Sequence, residues 1–231
     1  MSRGLLILIL IFCAACTSDE VVRSNKTGFT NIYKNIFFSF TNSNEKKITP
    51  SKIIYDQKWL ASYKQPIIAI SASERSNKVT LVALGDYKDT LTWVSADGIS
   101  LSFFNGILIA TRGYSQDLIE SRNEYKNQIF KGYQKSYKKT FRYLDGENEY
   151  EDLIFTCTIK NRLNHVTKIL NISLNTTKFT ETCNSETKNH ENYFLVLPGT
   201  NIVLKSKQWI SPSQGSLLIY NYYAFQNDII G

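Results

Sequence analysis

The spacing of hydrophobic residues changes once along the chain, near residue 65. Over residues 29–40 they recur at alternating steps of three and one, which predicts an amphipathic helix. We expect its apolar face to pack on the domain. A helix lying on a membrane surface is the alternative, although Lys34 is its only cation. Thr49 followed by Pro50 is typical of a helix start and predicts a second, short helix over residues 50–60.

From Pro66 onward, hydrophobic and polar residues alternate with a period of two in short runs rich in β-branched and aromatic residues. This alternation is typical of antiparallel strands with one buried face. Ala96-Asp97-Gly98 and Asn105-Gly106 are the strongest hairpin signals, because glycine adopts a positive φ without steric cost. The pattern predicts an all-β fold: an antiparallel meander over residues 48–231 that closes into a barrel or a sandwich, with a short helical lead before it.

The N-terminus has one basic residue, Arg3, ahead of a short apolar stretch that ends at Ala15. This stretch is well below the ~20 residues that a membrane-spanning helix needs, so residues 1–15 are predicted to be a secretory signal peptide. Ala14-Ala15-Cys16 resembles the lipobox of bacterial lipoproteins, although Cys13 stands where leucine is usual. The resemblance implies cleavage before Cys16 and lipidation of its thiol. An ordinary signal peptide with an incidental cysteine is the alternative.

A lipidated Cys16 would bind membrane lipid firmly, since each buried methylene contributes roughly 0.8 kcal/mol and several acyl chains act together. Thr17, by resemblance to lipoprotein sorting rules, indicates the outer membrane, with the domain facing the periplasm. Residues 16–47 would then form a tether followed by the amphipathic helix.

The formal net charge of +7 raises the question of nucleic acid, anionic lipid or acidic glycans as partners. The excess is almost all lysine, spread along a chain that is also rich in Asn, Ile and Tyr. That mixture is what an AT-rich genome produces whatever the function. An exported lipoprotein also does not meet the chromosome, so nucleic acid is not expected as a partner.

Cys157 and Cys183 are the two cysteines that remain once the signal is removed and Cys16 is acylated. An even pair in an oxidising compartment predicts a disulfide bond. Two free buried thiols are the alternative. Metal ligation is a poorer explanation, because His165 and His190 show no ligand spacing with these cysteines. No cofactor and no metal are expected.

The order of these features is familiar. A lipobox and a helical lead precede ITPSKI, then VTLVALG, then LTWVSADGISLSFFNGILIATRGY, and much later a strand with a lone cysteine, Cys157. This arrangement resembles the YjbF/GfcB family of outer-membrane lipoproteins, which are encoded with the machinery for exopolysaccharide and group-four capsule production. Over residues 48–118, Trp93, the Asp97-Gly98 and Gly106 turns and the Thr111-x-Gly113 ending match the family.

The resemblance implies a non-catalytic accessory factor in exopolysaccharide or capsule assembly or export, with polysaccharide or export-machinery proteins as partners. It provides no catalytic residue to transfer. Two alternatives remain from other classes: a polysaccharide-modifying enzyme, and a structural envelope lipoprotein without a glycan ligand. Glycoside hydrolysis needs two carboxylates that face each other, whereas the densest acidic group, residues 145–152, clusters at one predicted hairpin turn.

Residues 91–114 are best explained as two consecutive hairpins of the meander. The alternative is a sugar subsite formed by Trp93, Asp97 and Arg112, since proteins hold saccharides by aromatic stacking and bidentate hydrogen bonds.

A second candidate site is the segment 124–143, in which cations alternate with tyrosines. Aromatic faces beside cations could hold an acidic polysaccharide by stacking and charge. The alternative is a long edge strand that its lysines protect from pairing with other chains. The candidate glycan-binding residues are Lys131, Tyr133, Lys135, Tyr137, Lys138 and Arg142.

Overall fold

Twelve antiparallel strands form one sheet over the residues that the computed structural model describes, which are 56–123, 129–131, 136–144 and 149–225. The strands are β1 (Ile67–Ser71), β2 (Val79–Tyr87), β3 (Thr90–Ser95), β4 (Ser100–Phe104), β5 (Ile107–Arg112), β6 (Leu118–Asn123), β7 (Tyr137–Leu144), β8 (Tyr150–Ile169), β9 (Ile172–Asn184), β10 (Asn189–Val196), β11 (Val203–Ser211) and β12 (Gly215–Tyr220).

Two short helices, α1 (Gln57–Ala61) and α2 (Tyr222–Ala224), flank the sheet in sequence, and a 3-10 turn spans Ile129–Lys131. Asp56 caps α1 by accepting a hydrogen bond from the Trp59 amide at 2.7 Å. None of the helices in the described ranges has the length and apolar character needed to cross a membrane. The predicted signal peptide, Cys16, the tether and the helix over residues 29–40 lie outside the described residues.

The strand order is that of two meanders, β1 to β5 and β6 to β12, which are joined laterally by antiparallel pairing of β1 with β12. The remaining sheet edges, β5 and β6, follow each other in sequence. Side chains connect them: Leu118 donates its amide to Thr111 Oγ1 at 2.9 Å, and the Arg112 guanidinium donates to the Leu118 carbonyl. The sheet is therefore a nearly closed barrel, and the predicted all-β antiparallel fold is confirmed in its barrel form.

The barrel interior is filled by the inward-facing residues of alternating strands, as the period of two predicts. Large aromatic side chains dominate one half of the interior. The centroid of the Phe141 ring lies 5.7 Å from that of Phe155 and 5.1 Å from that of Trp209, and both pairs are edge to face. Edge-to-face pairs add to area burial because the ring quadrupoles are complementary. The interior is thus a packed core over most of its length.

A second, smaller core lies on the outer face of β1. Ile67 and Ala69 point away from the barrel and pack with Leu60 of α1, Tyr222 of α2 and Leu170 at the β8–β9 turn. Since Ile68 and Ile70 face the barrel interior, β1 is buried on both faces. The strand that joins the two meanders is thus held from both sides.

The stretch 91–114 forms β3, β4 and β5, joined by the two predicted turns, so the hairpin explanation of this region is confirmed. Gly98 and Gly106 adopt φ of 88° and 78° in these turns. A Cβ on Gly106 would lie 2.5 Å from Val203 Cγ2, whereas nothing lies within 4 Å of that position on Gly98. The β4–β5 turn therefore packs against β11 at Gly106, whereas the β3–β4 turn has no neighbouring atoms at the Cβ position of Gly98.

Cys157 on β8 and Cys183 on β9 are directly opposite each other and form a disulfide bond, as the sequence predicts. Both residues are fully buried in the interior core. The bond links the two longest strands of the sheet near one end of their ladder.

Candidate functional site

The structure divides the predicted glycan-binding residues of segment 124–143. Lys131 and Lys138 are exposed, while Tyr133 and Lys135 lie outside the described residues. Arg142 makes a bidentate ion pair with Asp152, with both N–O distances 2.7 Å. Tyr137 is only 5% exposed and its hydroxyl donates to the Glu181 carboxylate. The prediction that Tyr137 stacks against a polymer is therefore wrong, because its ring faces the barrel interior.

The edge-strand alternative is also wrong for residues 137–144. They form β7, which pairs with β6 on one side and with β8 on the other. Alternation along β7 turns Tyr137, Lys139, Phe141 and Tyr143 inward, while Lys138 and Leu144 are exposed. One lysine of the segment is thus inside the barrel.

Lys139 and Glu181 form an ion pair in the barrel interior, where Lys139 is 2% exposed and Glu181 is 0% exposed. The ammonium donates to both carboxylate oxygens, at 2.9 Å and 3.1 Å. Asn192 Nδ2 also donates to Glu181 at 2.6 Å, and Asn192 Oδ1 accepts from the Trp209 amide at 2.7 Å. Buried charges persist only when they are paired and hydrogen-bonded, and this network meets that condition.

Burial alone would raise the pKa of the Glu181 carboxyl. The charge of Lys139 and the hydrogen bonds from Tyr137, Asn192 and Lys139 together outweigh burial and hold that pKa below its ordinary value. For the Tyr137 hydroxyl, burial and the neighbouring Glu181 charge raise the pKa. Both carboxylate oxygens of Glu181 are already occupied, so this network is structural and offers no open position to a ligand.

His190 lies beside the same network. Its ring stacks on Trp209 with centroids 4.5 Å apart and planes 10° apart, and Phe155 contacts it edge on at 4.7 Å. Neither ring nitrogen has a hydrogen-bond partner among the described residues. Burial, with the nearby charge of Lys139, lowers the pKa of His190 to about 4. The imidazole is therefore held neutral at physiological pH.

Replacing His190 with Phe should flatten the dependence of stability on pH between 7 and 5. The folded pKa of His190 lies below the unfolded value, so the unfolded chain takes up the proton first as pH falls. As far as His190 is concerned, the free energy of unfolding is highest above about pH 6.5 and decreases by about 1–2 kcal/mol by pH 5. Urea unfolding at both pH values measures the slope. An equal slope in wild type and His190→Phe would show that another group is responsible.

One cluster of metal-type ligands occurs in the described residues, made of Cys157, Glu181 and Cys183. The two sulfur atoms are joined in the disulfide and the carboxylate is paired with Lys139. This cluster therefore has no free ligand to give to a metal ion.

A cavity of about 300 Å³ opens at the end of the barrel where α2 begins, and we call it the barrel-mouth cavity. Its walls are mainly apolar and include Ile68, Trp93, Phe103 and Ile219. Tyr223 of α2 lies against them, with its ring centroid 6.1 Å from that of Trp93 and the planes at 63°. This is the concave, largely apolar form that small-molecule sites take.

The rim of the barrel-mouth cavity carries hydrogen-bonding side chains from three separate turns: Asp89 between β2 and β3, Asn105 between β4 and β5, and Asn201 between β10 and β11. Alternate turns of an antiparallel meander lie at the same end of the sheet, which explains how they meet. All three residues are exposed, and their side chains make no hydrogen bond with another described residue. Asp89 and Asn105 have φ of 66° and 49°.

A second concavity of about 380 Å³ adjoins the first and shares Asp89, Leu91 and Tyr223 with it. Its other walls come from β2 and the residues on either side of that strand, including Pro66, Ala83 and Thr90. The register of β2 against β3 shifts between Ala83 and Gly85, beside this concavity.

The alternative sugar subsite of Trp93, Asp97 and Arg112 is not assembled. Trp93 lines the barrel-mouth cavity, but Asp97 lies at the opposite end of β3, where it accepts a hydrogen bond from the Ser95 hydroxyl. The Arg112 guanidinium is bonded to the backbone carbonyls of Thr111 and Leu118. From the sequence, Asn105 was predicted only as a turn residue, and Asp89 was not predicted to be part of a site. Their place on alternate turns of one meander was the signal that could have brought them together with Trp93.

Comparison with known proteins agrees with this architecture. Residues 34–220 match the family model described as group 4 capsule polysaccharide lipoprotein GfcB, YjbF. The crystal structure of the hypothetical lipoprotein YmcC from Escherichia coli K12 is similar, with a TM-score of 0.63 and 14% sequence identity, over 85% of this chain and 96% of that chain. At that identity the likeness concerns the fold. No curated protein matches the sequence. Because the family model spans most of the chain, this protein belongs to the YjbF family of group 4 capsule polysaccharide lipoproteins.

Proposed function

We propose that the protein is an outer-membrane lipoprotein, anchored through an acylated Cys16, whose β domain faces the periplasm and assists the assembly or export of a capsule or exopolysaccharide. The match to the family of capsule polysaccharide lipoproteins over residues 34–220 carries this proposal. The signal sequence and lipobox at residues 1–16 support the anchor. The partners would be the polysaccharide itself or proteins of the export machinery.

The role we propose is binding rather than catalysis. Glycoside hydrolysis needs two carboxylates on opposite sides of the scissile bond, ~5–9.5 Å apart. Among the described residues, the two cavities at the barrel mouth have Asp86 and Asp89 as their acidic lining residues, and both are exposed on the one β2–β3 hairpin. A general acid also needs an apolar environment that raises its pKa. The cavity, with hydrogen-bonding side chains on its rim, supports a binding role over a purely structural one.

Cys16→Ser should abolish both lipidation and function. The serine variant is expected to remain an uncleaved precursor that does not label with palmitate, and to restore no surface polysaccharide in a strain lacking the gene. Cys13→Ser is the matched control, since it changes the neighbouring cysteine of the signal and should label and complement normally. Palmitate labelling, fractionation and assay of surface polysaccharide measure the outcome. Labelling of Cys16→Ser in the outer membrane would refute the anchor.

The cations Lys131, Lys135 and Lys138 of segment 124–143 form a second proposed contact, suited to an acidic polymer; Lys131 and Lys138 are exposed, and Lys135 lies outside the described residues. Exposed pairs are individually weak, ~0–1 kcal/mol each, and are screened beyond about 8 Å at physiological salt. Binding through Lys131, Lys135 and Lys138 should therefore fall steeply as salt rises, and changing all three to Gln should remove this salt dependence. Arg142 is left unchanged because it is paired with Asp152.

The matched control changes three exposed lysines elsewhere, Lys160, Lys168 and Lys207, to Gln. It lowers net charge by the same amount without touching the segment. Titration with the polysaccharide of the producing bacterium, at low and high salt, compares the two variants. Equal affinities would eliminate the segment as a contact.

A further inference from the structure

We infer that the barrel-mouth cavity is a saccharide-binding site, and that it takes an uncharged sugar unit within a longer chain. Tyr223, which is half-buried, would contact the apolar face of the ring, with Trp93, 3% exposed, behind it as the floor of the cavity, and Asp89, Asn105 and Asn201 would bind its hydroxyl groups. The identification of the ligand as a saccharide rests on the proposed function. The size, polarity and charge of the site come from the structure.

The walls fit one sugar ring better than a lipid chain. A volume of about 300 Å³ is at the lower end of the ~300–1,000 Å³ range of small-molecule pockets. The Trp93 and Tyr223 rings meet at 63°, with Tyr223 half-buried and Trp93 only 3% exposed, so that a flat, partly apolar ring would pack mainly on Tyr223 and lie close to the Trp93 indole. Aromatic side chains with an apolar body suit such a ligand, because a pyranose ring has C–H groups on its faces and hydroxyls around its edge.

The rim supplies the polar half of the recognition. An Asp carboxylate accepts hydrogen bonds only, while an Asn amide both donates and accepts, which matches hydroxyl groups that do the same. The side chains of Asp89, Asn105 and Asn201 stand on three turns around one opening and are not used by the described fold. A purely apolar ligand would make no use of these groups, whereas the hydroxyls of a sugar can replace their hydrogen bonds to water.

The charge at the cavity disfavours acidic sugars. Asp89 places a carboxylate on the rim. Lys205 is the cation among the described lining residues, but its ammonium is 2.6 Å from a Glu74 carboxylate oxygen and lies over the Tyr220 ring, and its side chain is 11% exposed. It is therefore already neutralised on the outer face of β11. A uronic acid would meet Asp89 without a free cation among the described lining residues, so the site favours a neutral ring.

The adjoining concavity indicates a chain rather than a single sugar. The two cavities are separated by residues that they share, Asp89, Leu91 and Tyr223. Two adjacent subsites with a common wall would accommodate consecutive units of a polymer. An oligosaccharide should then bind more tightly than its monomer, because the second unit binds at high effective concentration.

The test uses the mature lipoprotein in a non-glycosidic detergent, with ¹⁵N-labelled tryptophan side chains. The chain has three tryptophans, so three indole N–H signals are expected, and Trp93→Phe identifies that of Trp93. The probes are glucose, galactose, mannose and N-acetylglucosamine at tens of millimolar, the trisaccharide of any sugar that binds, glucuronic and galacturonic acid, and heptanol as an apolar probe. We expect a saturable shift of the Trp93 signal alone with a neutral sugar, tighter binding of the trisaccharide, and at least about tenfold weaker binding of the uronic acids.

Substitutions at the rim can be made without disturbing the turns. Asp89→Gly and Asn105→Gly remove a side chain at a positive φ that glycine adopts freely, and each should weaken binding about tenfold. Lys88→Gly is the matched control: it has φ of 47° in the same turn as Asp89 but does not line the cavity. Its affinity should equal that of wild type.

Three results would overturn the inference: no shift of the Trp93 signal with any of the neutral sugars, uronic acids that bind as tightly as neutral sugars, or a shift with heptanol alone. The proposed function fails separately. If Cys16→Ser abolishes surface polysaccharide while the cavity binds no sugar, the accessory role stands and the saccharide site is rejected.

Discussion

Replacing Lys139 with Met should lower the free energy of unfolding by about 3–5 kcal/mol, because it leaves the Glu181 carboxylate buried without its cation. Glu181 is fully buried and both its oxygens accept from Lys139. The attraction within such a pair is offset by the cost of taking both charges out of water, so loss of one partner costs far more than loss of both. The double variant Lys139→Met/Glu181→Leu should therefore recover part of the stability, because it removes the unpaired charge but also the carboxylate to which the Tyr137 hydroxyl and the Asn192 amide donate.

Lys138→Met is the matched control, since this neighbouring lysine is on the same strand but is exposed. It should change stability by no more than about 0.5 kcal/mol. Urea unfolding measures all three variants. A similar loss in Lys138→Met would show that the ion pair is not the cause.

The loss of stability in Lys139→Met should depend on pH. In wild type, the pKa of Glu181 in the folded protein is held below its ordinary value. The charged carboxylate therefore stabilises the fold above the unfolded pKa, and this stabilisation is lost as pH falls through the folded pKa. Without Lys139, the effect of burial on the Glu181 carboxyl is less opposed, and the pKa of Glu181 rises. The carboxyl then becomes neutral on mild acidification. The deficit of Lys139→Met relative to wild type should accordingly be smaller at pH 5 than at pH 7.

Gly106→Ala should destabilise the barrel by about 2–5 kcal/mol, through two effects that add. A positive φ of 78° costs an L-residue roughly 1–2 kcal/mol. Its Cβ would also lie 2.5 Å from Val203 Cγ2, and overpacking typically costs about 1–3 kcal/mol. The turn has little freedom to retreat, because the Gln208 amide donates to the Gly106 carbonyl and accepts from the Leu108 amide, both at 2.8 Å.

Gly98→Ala separates the two effects. Gly98 has a similar φ, 88°, but nothing lies within 4 Å of its Cβ position, so only the backbone cost of about 1–2 kcal/mol applies. Adding Val203→Ala to Gly106→Ala removes the 2.5 Å contact with Cγ2 but keeps Val203 Cβ at 2.9 Å, so the double variant should be more stable than the sum of the single changes predicts but less stable than wild type. Equal losses in Gly98→Ala and Gly106→Ala, measured by urea unfolding, would rule out the packing contribution.

Local chemistry was sufficient to predict the strands and their turns. The alternation of Ile99, Leu101 and Phe103 with polar residues, and the glycines that end each run, depend on neighbours within a few residues, and β3, β4 and β5 follow them. The disulfide was predictable for a different reason. With Cys13 and Cys16 assigned to the signal and the lipid, Cys157 and Cys183 were the pair that remained, and the fold places them opposite each other.

Segment 124–143 could not be interpreted from its own composition. Lys139 has the same residue type as its exposed neighbour Lys138. Strand alternation turns Lys139 inward, and what stabilises it there is Glu181, which is 42 residues beyond it. A buried lysine is stable only beside such a partner, and no local pattern identifies that partner. The sequence therefore predicted cations on the surface, and the sheet placed one of them in the core.

The candidate site was decided by tertiary structure in the same way. Trp93, Asp89, Asn105 and Asn201 are spread over more than a hundred positions, and each is ordinary in its own strand or turn. They meet because β1 pairs with β12, which sets the β10–β11 turn beside the turns of the first meander. Strand alternation and turn chemistry act over a few residues and so are written in the sequence. Closure of the sheet, and with it the cavity and the buried ion pair, depends on contacts between distant residues that only the folded chain brings together.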